Sequence, residues 1–237
     1  MENKFRNWII KHSLSIGMVL LGIFALYIRY ACWPMISSDL LQFNIQWYNA
    51  LLKGGITAVF EPSLNLNYSP MHLYVWYFFG KLFPNVFALT ALKIISIFFE
   101  ILLCVSLLVL LKRLLSKTEK SRFYFFIGYI LIIFNPISIL NAACWGQTDV
   151  IFALLSVLAL LSYMDGKTNL TMVWLGLSLA FKMQALFLFP VFILLYFIGP
   201  KRINILSFLI IPIVWVLSGV PLAFVGRSPL IAVETYM

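Results

Sequence analysis

The polar segment NAACWGQTDV, residues 141–150, separates two apolar runs, FYFFIGYILIIF (123–134) and IFALLSVLALL (151–161). Neither run alternates apolar and polar residues as a strand of an outer-membrane barrel does, so we expect both to be helices that cross a membrane. The polar segment would then lie at the membrane boundary, with Asp149 at the start of the second helix. Carboxylates at that depth are energetically expensive and commonly functional.

The composition of the whole chain supports this interpretation. Of 237 residues, 63% are hydrophobic and only 11% are charged, and the mean hydropathy is +1.00. A soluble domain carries about 25% charged residues, so we predict an all-α integral membrane protein. Cys32, Cys104 and Cys144 have no paired spacing and indicate neither a disulfide framework nor a zinc site. The net charge of +9 does not require a nucleic-acid partner, because membrane proteins keep lysine and arginine on the cytoplasmic side.

We predict one transmembrane module, residues 1–237, with about seven spans. The basic N-terminus MENKFRNWIIKHS precedes the first apolar run, and no small-x-small cleavage site follows, so this run is interpreted as an uncleaved span. Several spans are shorter than the ~20 residues that a bilayer requires, which favours a thinned membrane or a water-filled cavity. The predicted spans are 13–32, 88–111, 123–140, 149–164, 170–181, 183–198 and 204–221.

The segment YSPMHLYVWYFFGKLF, 68–83, either crosses the membrane or lies in its outer interface. A crossing would place the basic run KRLLSKTEKSR (112–122) outside, against the positive-inside rule. Pro70 and the aromatic residues Tyr68, Tyr74, Trp76 and Tyr77, expected at headgroup depth, favour the interfacial position. In that topology the N-terminus is cytoplasmic, residues 33–87 form an outer loop, and eleven of the seventeen basic residues face the cytoplasm: Lys4, Arg6, Lys11, Lys112, Arg113, Lys117, Lys120, Arg122, Lys167, Lys201 and Arg202.

The outer loop contains two predicted juxtamembrane helices, of which SSDLLQFNIQWYNALLKGG (37–55) is the first and 68–83 the second. Ser38 is the expected N-cap of the first helix, and Gly54 and Gly55 end it. Asp39 then lies at the helix N-terminus, where backbone N–H groups favour the ionised carboxylate. The apolar face expected to lie in the interface is formed by Leu40, Phe43, Trp47, Ala50 and Leu51.

Other rare charges fall on the same side of the predicted membrane. Lys182 interrupts an apolar stretch that is too long for one span, so the chain should turn there at the outer surface. Lys93 lies near the outer end of the second span, and we expect Glu100, two turns deeper on the same face, to form a structural pair with it. The remaining outward basic residues are Arg29, Lys53, Lys81 and Arg227.

Each of these residues also has a structural explanation. Asp149 and Asp39 could serve only as caps or first-turn carboxylates of helices. Lys93 could extend its amine to the headgroups. His72 could be an interfacial polar residue, and a lone histidine gives little reason to predict a metal.

Four segments together resemble the polytopic bacterial glycosyltransferases of the GT-C superfamily that are related to the mannosyltransferases of GPI-anchor synthesis. NPISILNAACWGQTDVI is similar to their Asn-Pro…Trp-Gly-Gln-x-Asp element, and LNYSPMHLYVWYFFGKLF to the proline-containing helix of their first outer loop. LAFKMQALFLFP is similar to their Phe-Lys-Pro-Gln-Ala-Leu stretch, and SSDL occupies the place of their catalytic acidic motif.

The resemblance implies a hexosyltransferase whose sugar donor is carried on a polyprenyl phosphate. Asp39 would be the general base on the hydroxyl of a glycan, lipid or protein acceptor, with inversion at the anomeric carbon. The residues expected to bind substrate are Asp149, Lys182, Gln147, Trp145, Tyr68, His72, Lys93 and Arg227. No cofactor is implied, and a divalent metal is not indicated because Asp39 is a single acid preceded by Ser37 and Ser38. The expected location is a bacterial plasma membrane, with membrane lipids around the protein and an extracytoplasmic site.

The relatives implied by this resemblance continue with further spans beyond GRSPLIAVETYM (226–237). We therefore expect this chain to correspond to the front module of a longer enzyme. Two other functions stay open at the level of sequence. A transporter or flippase of lipid-linked sugars should show duplicated halves with broken helices, and no repeat is visible. A noncatalytic membrane subunit would not need Asp39, Asp149 and Lys182 on one side.

Overall fold

The protein is all-helical, as the sequence predicts. A computed structural model describes residues 2–116 and 119–235. Helix makes up 78% of the structure, and no strand occurs within these two ranges. Lys117, counted above among the inward-facing basic residues, lies outside the described residues.

Twelve α-helices are found in the described ranges, and several are preceded or followed by a short 3₁₀ or π-helical segment. The α-helices are α1 (Glu2–Ala31), α2 (Ile45–Gly54), α3 (Pro70–Leu82), α4 (Ala88–Leu114), α5 (Ser121–Ile133), α6 (Pro136–Ile139), α7 (Val150–Met164), α8 (Thr168–Phe181), α9 (Phe189–Ile198), α10 (Ile210–Leu217), α11 (Val220–Ala223) and α12 (Ile231–Glu234). A π-helical turn, Leu40–Asn44, leads into α2, and a second, Leu140–Cys144, follows α6. The 3₁₀ segments are Ala58–Phe60, Pro62–Leu64, Met183–Leu188 and Ile205–Leu209.

Four helical stretches in the described ranges are long and apolar enough to cross a membrane: Arg6–Ala31, Ala88–Leu114, Ser121–Cys144 and Ile205–Ala223. Three shorter apolar stretches are Val150–Met164, Thr168–Phe181 and Met183–Ile198. Their lengths and compositions are compatible with a multi-pass membrane protein. The short stretches end where a glycine, a proline or Lys182 interrupts the apolar sequence.

The helices pack around the α7–α8 hairpin. Helix α7 lies between α4 and α8, and α10 packs on the other side of α8. Only 6% of the apolar window of helix α1 is buried, which suits a peripheral helix in contact with lipid. A separate apolar cluster joins α2, α3 and the start of α4 through side chains such as Leu51, Trp47 and Trp76.

The segment 68–83 forms a single helix, α3, of 13 residues. Pro70 occupies its first turn, as predicted. Two of its aromatic residues contact the protein interior: Trp76 is fully buried, and the Tyr74 hydroxyl donates to Ser218 O at 2.9 Å. Helix α3 is therefore held by the protein interior through its aromatic side chains.

The pairing predicted for Glu100 is wrong, because its partner is Arg29 of α1. Arg29 Nε and Nη2 donate to the two Glu100 carboxylate oxygens at 2.9 and 2.7 Å. The Ser138 hydroxyl donates to the same carboxylate at 2.8 Å. Lys93 lies seven residues before Glu100, a rise of about 10 Å along a helix, which is too far for direct contact.

Candidate functional site

A chain of hydrogen bonds joins Asp39 to Lys182 across three separate parts of the sequence. Gln147 Nε2 donates to Asp39 Oδ2 at 3.2 Å, and Asn141 Nδ2 donates to Gln147 Oε1 at 3.1 Å. The same Asn141 amide donates to Asp149 Oδ2 at 3.3 Å. Asp149 Oδ1 accepts from Lys182 Nζ in an ion pair. The structure therefore brings the outer loop, the WGQTD segment and the break after α8 into one polar cluster.

The break in the apolar sequence at Asn135 and Pro136 positions the WGQTD segment. Asn135 ends the run of α5, and its side-chain oxygen accepts from Ile137 N and Ser138 N at 3.0 and 3.1 Å. Pro136 has no N–H to satisfy and fits the first turn of the new helix. The chain then passes through the second π-helical turn directly into Trp145.

Ser37 caps the helix that carries Asp39, where the sequence predicts Ser38. The Ser37 hydroxyl oxygen accepts from Leu40 N at 3.2 Å and its proton is donated to Trp145 O at 3.2 Å. One serine therefore both starts the helix and attaches it to the WGQTD segment. Ser38 is exposed.

Lys93 of α4 links the segment before Asp39 to the segment before Trp145 through hydrogen bonds to backbone carbonyls. Its ammonium group is fully buried and donates to Trp33 O at 2.7 Å, to Ala143 O at 3.0 Å and to Met35 O. Each acceptor is a backbone carbonyl close to the site: two before Asp39 and one before Trp145. All three ammonium protons are used, so the geometry supports a positioning role for Lys93 in place of the expected contact with substrate.

Gly146 allows the two segments to approach each other. Its φ of +63° is in the left-handed region, and a Cβ there would lie 3.0 Å from Leu40 Cδ2 and 3.3 Å from Lys93 Cγ. A side chain would be strained in conformation and crowded in space. The glycine of the WGQTD segment is thus required by backbone geometry and packing.

The Lys182 side of the cluster opens into a cavity of about 330 Å³. Its lining includes Asn67, Tyr68, His72, Lys182 and Gln184. The rings of Tyr68 and His72 are 4.6 Å apart. The cavity thus combines aromatic surfaces, amide groups and one cation.

His72 is buried in the wall of this cavity as a neutral base. Ser69 Oγ donates to Phe181 O at 3.2 Å and lies 3.1 Å from His72 Nδ1. Because the single hydroxyl proton of Ser69 is used on the carbonyl, His72 Nδ1 is the donor in the second bond. Burial, assisted by the charge of Lys182, lowers the pKa of His72 to about 3.

The Asp149 side of the cluster opens into an apolar cavity of about 590 Å³ between α4, α5 and α7. A second apolar cavity, of about 530 Å³, lies along the other side of α7 against α9. Phe152 and Ala153 line both cavities. The Asp149–Lys182 pair consequently lies between a polar, aromatic cavity and an apolar groove.

Two predicted site residues are placed differently from the rest. Arg227 is exposed and stacks on Phe60, with its guanidinium carbon 4.9 Å from the ring centroid. It forms no ion pair with any side chain that the structure describes. Trp145 contributes its backbone carbonyl to the site, and the residue as a whole is 44% exposed.

Asn141 is a site residue that the sequence analysis missed. It bridges Gln147 and Asp149, and its remaining atom, Oδ1, is buried without a hydrogen-bond partner in the described part of the chain. Thr148 Oγ1, in the same segment, is buried and unpartnered in the same way. The sequence feature that could have identified Asn141 is its position as an amide residue within a polar segment between two apolar runs.

Comparison of the chain with protein-family models, with curated proteins and with solved structures finds no match. Within residues 2–116 and 119–235, no three His, Cys, Asp or Glu side chains are grouped closely enough to hold a metal ion.

Proposed function

We propose that the protein is a seven-span glycosyltransferase of the GT-C type, which transfers a hexose from a polyprenyl phosphate to an extracytoplasmic acceptor. The observation that carries the proposal is the hydrogen-bonded chain from Asp39 to Lys182, located between a polar cavity and an apolar groove. The proposal places the chain as a single module in a bacterial plasma membrane, with the N-terminus in the cytoplasm. The acceptor is a glycan, a lipid or a protein.

Asp39 is the proposed general base. Its carboxylate is exposed, and one oxygen accepts from Gln147 while the other makes no hydrogen bond to a described residue. An acceptor hydroxyl can therefore reach the second oxygen. As that hydroxyl attacks the anomeric carbon, its proton passes to Asp39 and the bond from carbon to the phosphate oxygen breaks.

Lys182 is the proposed partner of the departing lipid phosphate. Its side chain is 23% exposed and Asp149 is 26% exposed, so the ion pair can be reached from the cavities on either side. The phosphate gains negative charge as it leaves, and a nearby ammonium group stabilises that charge. Asp149, held by Asn141, orients the lysine before the donor arrives.

The two cavities suit the two ends of such a donor. The sugar fits the cavity that contains Tyr68, His72 and Gln184, where side-chain polar groups meet aromatic rings. The apolar groove around Phe152 and Ala153 suits an isoprenoid chain, because it offers apolar surface along α7 within the membrane.

The test is transfer by the purified chain reconstituted in lipid vesicles with a panel of radiolabelled polyprenyl-phosphate hexoses. We expect the wild type to consume one of the donors. In Asp39→Asn the rate of transfer should decrease about 10²- to 10⁴-fold, because removal of a general base has effects of that size. Asp165→Asn, in an exposed ion pair with Arg113, is the matched control and should retain activity. Unchanged transfer in folded Asp39→Asn would reject the base assignment, and consumption of no donor by the folded wild type would reject the activity of this chain.

A further inference from the structure

A fourth cavity lies at the far end of the bundle from the candidate site. Its volume is about 370 Å³, and it is enclosed by α1, the end of α4 and the start of α5. Lys112, in its wall, lies nineteen residues after Lys93 on the same helix, a distance of about 28 Å. That distance is close to the ~30 Å thickness of the hydrocarbon core. The cavity and the candidate site therefore lie at opposite membrane boundaries.

The mouth of this cavity is basic. Lys112 and Arg122 both line it, and both are exposed. Neither forms an ion pair with a side chain in the described ranges, whereas the adjacent Arg113 is paired with Asp165 at 2.6 Å. Two cations without a carboxylate partner thus face one cavity. This arrangement favours an anionic ligand.

The remaining lining residues are of two kinds. Hydroxyl groups come from Ser15, Ser116 and Ser121, and apolar surface comes from Leu14, Met18, Leu115 and Phe125. The combination of cations, hydroxyl groups and an apolar floor matches a phospholipid headgroup with the beginning of its acyl chains. A small soluble anion would not need the apolar floor.

We propose that this cavity binds an anionic phospholipid of the membrane leaflet in which the cavity lies, with the lipid phosphate between Lys112 and Arg122. The acyl chains lie along the exposed apolar side chains of α1 and α5, such as Val19, Ile23 and Ile127. Basic pockets between transmembrane helices recognise anionic headgroups by this chemistry. The site is independent of sugar transfer, because it shares no residue with the polar cluster.

The experiment titrates phosphatidylglycerol into the delipidated full chain in detergent and counts bound lipids by native mass spectrometry. Removing one basic residue at a headgroup weakens binding about fivefold, so K112Q combined with R122Q should weaken it about 25-fold. K201Q combined with R202Q removes the same two residue types at exposed positions outside the cavity, and should change binding less than twofold. Equal weakening in both double variants would overturn the site.

Two further arms separate the cavity from general surface attraction. Ser15→Trp fills the cavity without changing charge, so we expect it to reduce phosphatidylglycerol binding at least tenfold; unchanged binding would overturn the proposal. Phosphatidylcholine should bind at least tenfold more weakly than phosphatidylglycerol, and inorganic phosphate at equal concentration should not displace the lipid. Equal binding of the two lipids, or displacement by phosphate alone, would contradict an anionic phospholipid as the ligand.

Discussion

Two ion pairs in this protein have similar chemistry and different surroundings. Arg29 and Glu100 have side-chain exposures of 6% and 0%, and their remaining polar atoms are bonded to Ala25 O, Ile133 O and Ser138. Lys182 and Asp149 are about a quarter exposed, and each lines a cavity. The first pair fastens α1 and α4 together, whereas the second can exchange one partner for a ligand.

The comparison shows that a rare charge in an apolar chain does not by itself indicate a site. A buried pair in which every nitrogen and every carboxylate oxygen already has a hydrogen-bond partner has little capacity for a ligand, since a new contact would compete with an existing one. A partly exposed pair between cavities has both access and spare hydrogen-bonding capacity.

Glu100→Ala should have the largest effect. It leaves Arg29 charged and buried without a carboxylate, and breaking a buried pair in this way destabilises a protein by about 3–5 kcal/mol. Thermal unfolding in detergent, followed by tryptophan fluorescence, measures the change. Asp165→Ala, in the exposed pair with Arg113, is the control and should lose about 0–1 kcal/mol. Similar losses in both variants would show that burial of an ion pair does not determine its contribution to stability.

Lys93→Met should destabilise the protein by about 2–4 kcal/mol, because three backbone carbonyl groups, including that of the buried Ala143, lose a charged donor. The same unfolding measurement applies, with the exposed Lys53→Met as its control. A Lys93→Met protein as stable as the wild type would show that the ammonium group does not hold the two site segments together.

Lowering the pH should decrease the free energy of unfolding through His72. Its pKa falls from an ordinary value of 6.5 to about 3 in the folded protein, so the unfolded chain binds a proton first as the pH decreases. Stability is therefore full above pH 6.5 and decreases between pH 6.5 and 3, by about 1–2 kcal/mol from pH 7 to 5. Unfolding measured against pH should show this slope in the wild type and a smaller one in His72→Gln. Equal slopes would assign the pH dependence to other groups.

Lys182→Met should have the smallest effect on stability, at most about 1 kcal/mol, because water can reach the carboxylate that it leaves behind. Sugar transfer, in contrast, should decrease about 10²- to 10³-fold if the ammonium group stabilises the leaving phosphate. Parallel unfolding and transfer assays, with Lys201→Met as the control, measure both quantities. A loss of stability as large as that of Glu100→Ala would mean that the second pair is structural too.

Hydropathy and local signals were sufficient to locate most of the helices. The helical class was predicted from the apolar composition, and Pro70 marked the start of α3. The clustering of Asp39, Asp149 and Lys182 followed from the rule that expensive charges gather on one side of a membrane chain. These features depend on a few adjacent residues or on a global charge preference, so one sequence contains the information.

Partners between distant helices could not be predicted in the same way. The helical period indicates which face of α4 carries Glu100, but not that α1 supplies Arg29 against that face. Likewise, nothing near Lys93 shows that its acceptors are the carbonyls of residues 33, 35 and 143. Arg227 was grouped with the other predicted outward charges by side of the membrane alone, and that criterion does not specify neighbours. Pairings of this kind depend on how the helices assemble.

The two π-helical turns adjoin the site on both sides: Leu40–Asn44 directly follows Asp39, and Leu140–Cys144 directly precedes Trp145. A turn of this kind corresponds to an α-helix into which one additional residue has been inserted. Deleting one residue from 40–44 would let the chain wind as an ordinary α-helix, and would rotate Asp39 about 100° around the axis relative to α2. In an evolutionary lineage of this protein, the number of residues in these turns should thus be constrained more tightly than their identity.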